Sequence, residues 1–244
     1  CAGGTTTITN AAREPEICDL ADFLNCCGAK ISGAGDSTIV IEGVKSLHGC
    51  EHEVIPDRIA AATYLAATAA TGGSIILNHV VPEHLAPVLP LFEESGCRFA
   101  IHEKEIYMSA PSRLGRIKNV RTMPYPGFPT DAQAPMMAMA AVANGTSIFV
   151  ENIFESRYKH VGELLRLGAN IKVEGRVAVV EGVGRLSGAP VEAADLRGGA
   201  ALVVAGLAAQ GETLVSGVRH IDRGYECLEE NLCLLGAQVK RLPD

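Results

Sequence analysis

Tyr125-Pro-Gly-Phe-Pro-Thr-Asp-Ala-Gln-Ala-Pro-Met-Met-Ala-Met-Ala-Ala-Val-Ala-Asn-Gly145 lies just past the middle of the 244-residue chain. Its prolines restrict the backbone from Pro126 to Pro129 to an extended, irregular approach. Thr130 or Asp131 then offers a side-chain oxygen to cap a helix through Met136 to Val142. That helix is built from Ala and Met and is apolar almost all round, which predicts burial on every side. A carboxylate fixed there by a rigid approach serves either as a plain cap or as a holder for a substrate hydroxyl.

Working outward, the same pattern recurs. Glycines at Gly28, Gly96, Gly168 and Gly236 are separated by 68, 72 and 68 residues, and each ends a helix-like segment. A short apolar run follows each: Lys30-Ile31, Arg98-Phe99, Asn170-Ile171 and Gln238-Val239. Four positions before each glycine stands Leu24, Phe92, Leu164 or Leu232, and four further back Leu20, Val88, His160 or Leu228, one face of a helix in which only His160 breaks the pattern. A turn and strand repeat in step, from Gly4, Gly73, Gly145 and Gly211. Ala-rich helices precede the last three, over 59–70, 132–143 and 196–209, each with an aspartate near its start: Asp57, Asp131 and Asp195. The chain therefore reads as three units, 57–130, 131–194 and 195–244, after a partial one over 1–55. Such a repeat with all-apolar helices predicts an α/β fold in which helices are buried between sheets.

Composition narrows the function classes. Hydrophobic residues make up 48% but aromatics only 5%, with no Trp, so the core must be Ala, Leu, Val and Ile. Acidic residues outnumber basic ones, 28 to 21, which argues against a general nucleic-acid surface. Eight cysteines include no Cys-x-x-Cys pair and no zinc spacing; as small hydrophobes they point to a reducing, cytoplasmic setting. The seven histidines show no metal-ligand spacing, and no phosphate-binding glycine loop follows a strand. No apolar run is long enough for a membrane helix, and no basic, then apolar leader opens the chain.

The polar residues that packing leaves unexplained sit at unit edges. Asp57-Arg58 and Asp195-Leu-Arg197 are expected to open two inner helices, Glu155-Ser-Arg157 and Asp222-Arg223 two outer ones. An arginine at a helix start opposes the dipole, so Arg157, Arg197 and Arg223 there suggest an anionic ligand. His160 and His220 are candidates for titration near neutrality.

These motifs resemble the UDP-N-acetylglucosamine enolpyruvyl transferases (1-carboxyvinyltransferases). The resemblance rests on Asn10-Ala-Ala-Arg-Glu-Pro-Glu16, Pro56-Asp-Arg-Ile59, Pro126-Gly-Phe-Pro-Thr-Asp-Ala-Gln133 and Phe154-Glu-Ser-Arg157. It continues through Leu186-Ser-Gly-Ala-Pro190, Asp195-Leu-Arg197 and His220-Ile-Asp-Arg-Gly-Tyr-Glu226, and spans essentially the whole chain. It implies two similar domains, each an inside-out α/β barrel of repeats, with the active site between them. Here the first domain would be incomplete (1–55) and the second nearly whole (56–244).

The implied reaction moves the enolpyruvyl group of phosphoenolpyruvate to the 3′-hydroxyl of UDP-N-acetylglucosamine, the first committed step of peptidoglycan synthesis. It needs no cofactor and no metal. Asp131 would be general base at that hydroxyl, and Ile153 would contact the nucleotide sugar through its backbone. Arg197 and Arg223 would bind phosphoenolpyruvate, Asp195 would stabilise the reacting centre, and Asp57 and Arg157 would shape the cleft.

The resemblance also implies a domain-sized stretch of about 170 residues before Cys1, holding a Lys-Asn pair and a Gly-Gly-Cys loop. The chain alone is accordingly expected to be inactive, with open sheet edges that favour self-association. Two other readings stand beside this one: a non-catalytic repeat protein that binds a nucleotide sugar or a partner, and a homologue from the shikimate pathway, whose signatures are not found here.

Overall fold

The computed structural model describes residues 1–242. The chain opens with β1 (Thr5–Thr9), α1 (Pro15–Cys26), β2 (Lys30–Ser32) and β3 (Thr38–Glu42). Next come α2 (Arg58–Thr71), β4 (Ser74–Asn78), a short 3-10 turn (Pro82–Leu85), α3 (Leu89–Glu94), β5 (Arg98–His102), β6 (Glu105–Ser109) and β7 (Asn119–Arg121). The following unit holds α4 (Thr130–Ala140), β8 (Thr146–Val150), α5 (Val161–Arg166), β9 (Asn170–Glu174), β10 (Val177–Glu181), β11 (Leu186–Ser187) and β12 (Pro190–Glu192). The last holds α6 (Leu196–Ala208), β13 (Ala209–Gln210), β14 (Leu214–Ser216), α7 (Arg219–Asp222) and α8 (Leu228–Leu234).

The architecture is inside-out, as the apolar helices predict. α2, α4 and α6 pack on one another, and the sheets lie outside them. From Ala132 to Ala140 every residue of α4 is buried, and Met136, Met137 and Met139 have no exposed surface. Alanines let the helix axes approach closely, and flexible methionines fill the gaps that this leaves. One core runs from Ala61 through Phe92, Phe149 and Leu164 to Ala205; a smaller one forms around Ile221, Tyr225 and Leu232.

Three antiparallel sheets repeat the same hairpin: β1-β3-β2, β4-β6-β5, and β8-β10-β9 with β7 added in parallel to β8. β11 pairs with β13 and β12 with β14, both in parallel, which stitches the second unit to the third. The four marker glycines all take positive φ, between 90° and 100°, at the expected helix ends.

Four expectations need correction. The run from Pro124 is a tight turn rather than an extended approach: Gly127 N–H donates to the Pro124 carbonyl, and Met123 N–H reaches Phe128, which is buried. Gln238-Val239 forms no strand: among the described residues no returning strand pairs with it as β3, β6 and β10 do elsewhere. Leu20, expected on a packed face, is half exposed. Residues 219–222 form a separate helix, α7, so Arg223 follows a helix end, where a cation is favourable rather than costly.

Candidate functional site

Asp131 is the second residue of α4 and caps nothing. The N-cap position belongs to Pro129, which has no side-chain oxygen, and Ala132 N–H turns back to the Pro129 carbonyl instead. The expected cap from Thr130 or Asp131 is therefore absent, and both side chains point elsewhere. Asp131 is gripped by two arginines: Arg157 Nη2 donates to Oδ1 at 2.5 Å, and Arg197 Nη2 to Oδ2 at 3.4 Å. Pro135, inside α4, has no N–H to give the carbonyl of Asp131 four residues earlier, so that oxygen also lacks its helical donor.

Arg197 is the second residue of α6, where the sequence placed it. Its guanidinium lies over the Tyr225 ring, 5.4 Å from the centroid, and the Tyr225 hydroxyl bonds Thr63 of α2 at 2.8 Å. Burial works against its charge, but Tyr225, Asp131 and Asp57 outweigh that and hold its pKa above the ordinary value. Arg197 Nε and Nη1 are buried without a hydrogen-bond partner. Two guanidiniums thus face one carboxylate, with N–H donors left over. Such a surplus of fixed positive donors favours an arriving anion over any neutral group.

The loop that carries Arg157 is set by a residue that sequence reading passed over. Glu151 is 1% exposed and follows β8 directly. Its Oε1 accepts from Thr122 Oγ1 (2.8 Å), Ile153 N–H (2.7 Å) and Phe154 N–H (3.0 Å). Its Oε2 accepts from Thr130 Oγ1 (2.9 Å) and Gln133 Nε2 (3.0 Å). A buried carboxylate is tolerated when its lone pairs are so fully used. Glu151 therefore joins the end of β7, the first turn of α4 and the loop 153–157, and so presents Asp131 and Arg157 to each other. The signal available in sequence was a glutamate directly after an apolar strand.

The other predicted residues divide. Asp57 and Asp195 are true caps: Asp57 Oδ1 accepts from Ile59 and Ala60 N–H at 2.7 and 3.0 Å, and Asp195 Oδ1 from Gly198 N–H at 2.7 Å. Ile153 is partly exposed; with its N–H held by Glu151, its carbonyl is the backbone group left to a ligand. Arg157 precedes α5 by four residues instead of opening it, and stacks on exposed Phe154 at 5.2 Å. Arg223 is exposed and makes no ion pair among the described residues, so it is not joined to the Asp131 cluster.

His160 is not poised near neutrality. Burial, opposed by Asp195, pushes its pKa down to about 4. It packs against the start of α6, where a Cβ on Gly198 would come within 3.0 Å of the His160 Cβ.

Three of the quoted motifs also meet at one joint. Arg58 Nε and Nη2 hold Glu16 at 2.8 and 3.2 Å, its guanidinium lies 5.5 Å from the Tyr125 ring centroid, and Tyr125 N–H reaches Glu14. Burial raises the Glu16 pKa, but the bonds to Arg58 more than offset it and leave it lowered. Among the described residues no group of three His, Cys, Asp or Glu side chains is placed to hold a metal, and no helix is long and apolar enough to cross a membrane.

Comparison with known proteins agrees with this architecture. The family EPSP synthase (3-phosphoshikimate 1-carboxyvinyltransferase) matches residues 1–232. UDP-N-acetylglucosamine 1-carboxyvinyltransferases 2 and 1 of Caldanaerobacter subterraneus subsp. tengcongensis are 52% and 51% identical over 99% and 98% of this chain. The chain spans 58% of the length of these relatives. The enolpyruvyl transferase NikO from Streptomyces tendae superposes with a TM-score of 0.86 at 29% identity, over 98% of this chain and 57% of that one. EPSP synthase from Acinetobacter baumannii shares the fold, with a TM-score of 0.68 at 20% identity over 98% of this chain and 59% of the other.

Proposed function

From the premise that the chain belongs to the EPSP synthase (3-phosphoshikimate 1-carboxyvinyltransferase) family, we propose that it forms the larger part of an enolpyruvyl transferase. The donor is phosphoenolpyruvate and the acceptor is the 3′-hydroxyl of UDP-N-acetylglucosamine, which places the reaction in peptidoglycan synthesis. The names of the relatives at 52% and 51% identity support this acceptor. Residues 1–55 then close a first domain and 56–244 make up a second, in repeats 57–130, 131–194 and 195–244.

The observation that carries the reading is the carboxylate of Asp131 held between Arg157 and Arg197 rather than spent on its own helix. An incoming phosphoenolpyruvate offers those arginines a carboxylate and a phosphate, stronger partners than one shared Asp. As they turn to the substrate, the oxygens of Asp131 are freed toward the acceptor hydroxyl, whose proton it accepts as general base. Arg197, with its unused Nε and Nη1, takes the anion. Asp195, through the oxygen its cap leaves free, stabilises the reacting centre and Arg223 binds phosphoenolpyruvate, while Ile153 contacts the nucleotide sugar and Asp57 shapes the cleft. Enolpyruvyl transfer is an addition and elimination, so the protein's tasks are orientation, proton movement and charge stabilisation.

Phosphate release, measured with both substrates in the protein at the length of its curated relatives, tests this. Turnover that requires UDP-N-acetylglucosamine supports the reading, and turnover with 3-phosphoshikimate instead would reassign the acceptor. The 244-residue chain alone contains no Gly-Gly-Cys sequence and is expected to release no phosphate.

A further inference from the structure

Away from this site, three of the eight thiols converge where α1 ends. Cys26 and Cys27 close the helix, and the segment through Cys50 crosses it without helix or strand of its own. That segment is docked at several points. His48 N–H donates to the Cys27 carbonyl at 2.9 Å, Cys26 Sγ reaches the Glu51 carbonyl at 3.6 Å, and Cys50 Sγ reaches the Phe23 carbonyl at 3.8 Å. The Cys27 and Cys50 sulfurs lie 3.4 Å apart, although the residues are 23 positions apart in sequence. Cys27 is 8% exposed, Cys26 is exposed and Cys50 partly so, which gives a small oxidant a way in.

We propose that Cys27 and Cys50 form a reversible redox site, joined as a disulfide by exchange with a small-molecule disulfide. In the first step the thiolate of one member displaces a thiolate from the small disulfide and is held as a mixed disulfide. The thiolate of the other then attacks that sulfur and expels the second small thiolate. The pair loses two protons and two electrons, and the small disulfide is reduced to two thiols. Hydrogen bonding to Cys26, burial and hydrogen bonding to Cys27 push the Cys50 pKa up to about 12, so Cys50 is not the thiol that opens the exchange. The irregular segment around Cys50 has no ladder or helix to break when the sulfurs close to bonding distance. The product ties the irregular segment between β3 and α2 to the end of α1 at Cys50, eight residues before Arg58, and so stiffens the connection between the N-terminal sheet and the inner helices.

Oxidised glutathione is the probe, applied to the folded 244-residue chain and read by thiol titration, peptide mapping and unfolding midpoint. The expected result is loss of about two thiols, a Cys27–Cys50 cross-linked peptide, and a raised midpoint that returns on reduction. In Cys50→Ser the cross-link and the rise both vanish, and Cys27→Ala must do the same. A folded chain that keeps all eight thiols titratable after equilibration overturns the proposal, as does a link that maps to Cys26–Cys50 or any other pair.

Discussion

The starts of α4 and α6 carry the same residue type, an aspartate, in comparable places, and use it oppositely. Asp195 turns its oxygen back onto Gly198 N–H and closes its own helix. Asp131 leaves its helix uncapped and reaches outward to Arg157 and Arg197, 26 and 66 residues away. α2 follows α6, with Asp57 bonded to two of its own amides. A capping carboxylate is committed to local structure, whereas an uncommitted one has lone pairs to offer a ligand. The repeat places an aspartate near each start, but Asp57 and Asp195 sit at the N-cap and Asp131 two positions further in, where no cap geometry claims its oxygens.

The contrast is most open to attack through activity. In the protein at its relatives' length, Asp131→Ala should lower turnover by about 10²–10⁴-fold, with only a modest loss of stability from the two partly exposed ion pairs. A large loss of stability with modest loss of turnover would make Asp131 structural after all. Next in size is Glu151→Ala, which strands five donors in a buried site; chemical denaturation should show a loss of about 2–4 kcal/mol. If Glu151 positions the loop, Glu151→Gln should fold and raise the KM for the nucleotide sugar more than it lowers kcat.

Asp195→Ala and Asp57→Ala should each cost about 1 kcal/mol as lost caps, measured by the same denaturation. The gentlest probe uses pH. The folded pKa of His160, about 4, lies below its ordinary 6.5, so the unfolded chain takes up a proton that the folded chain refuses. Its contribution is fully present above pH 6.5 and is lost as pH falls from there toward 4, by up to about 1.4 kcal/mol per pH unit. His160→Gln should flatten that part of the stability profile; an unchanged slope would mean that His160 protonates freely in the folded state.

Much of the fold was legible because its signals are local and repeated. Gly28, Gly96, Gly168 and Gly236 end helices in a backbone conformation that favours glycine, and they mark the repeat wherever they fall. The Ala-rich segments declared themselves inner helices for want of any polar face. Asp57 and Asp195 stand at the helix starts where the sequence placed them, and cap those helices for the same local reason. Only the cap expected of Thr130 or Asp131 failed, because the arginines that hold Asp131 instead lie far along the chain and nothing beside it announces the pairing. Glu151 was hidden because a buried carboxylate is recognisable only by its donors, and those come from β7, α4 and its own loop. Arg223 misled by sitting beside an acidic residue in what read as one helix start, when the chain instead ends a short helix there.

Glu151 has one more consequence, for how the loop breathes. Ile153 and Phe154 give their amide hydrogens to the same oxygen, Oε1, which also holds Thr122. No opening frees one of these amides by loss of that oxygen without freeing the other. Their hydrogen-exchange rates should therefore rise and fall together, across temperature and denaturant, as a single cooperative unit. A ligand that seats on the Ile153 carbonyl should slow both at once, so two neighbouring amides become a built-in reporter of whether the site is occupied.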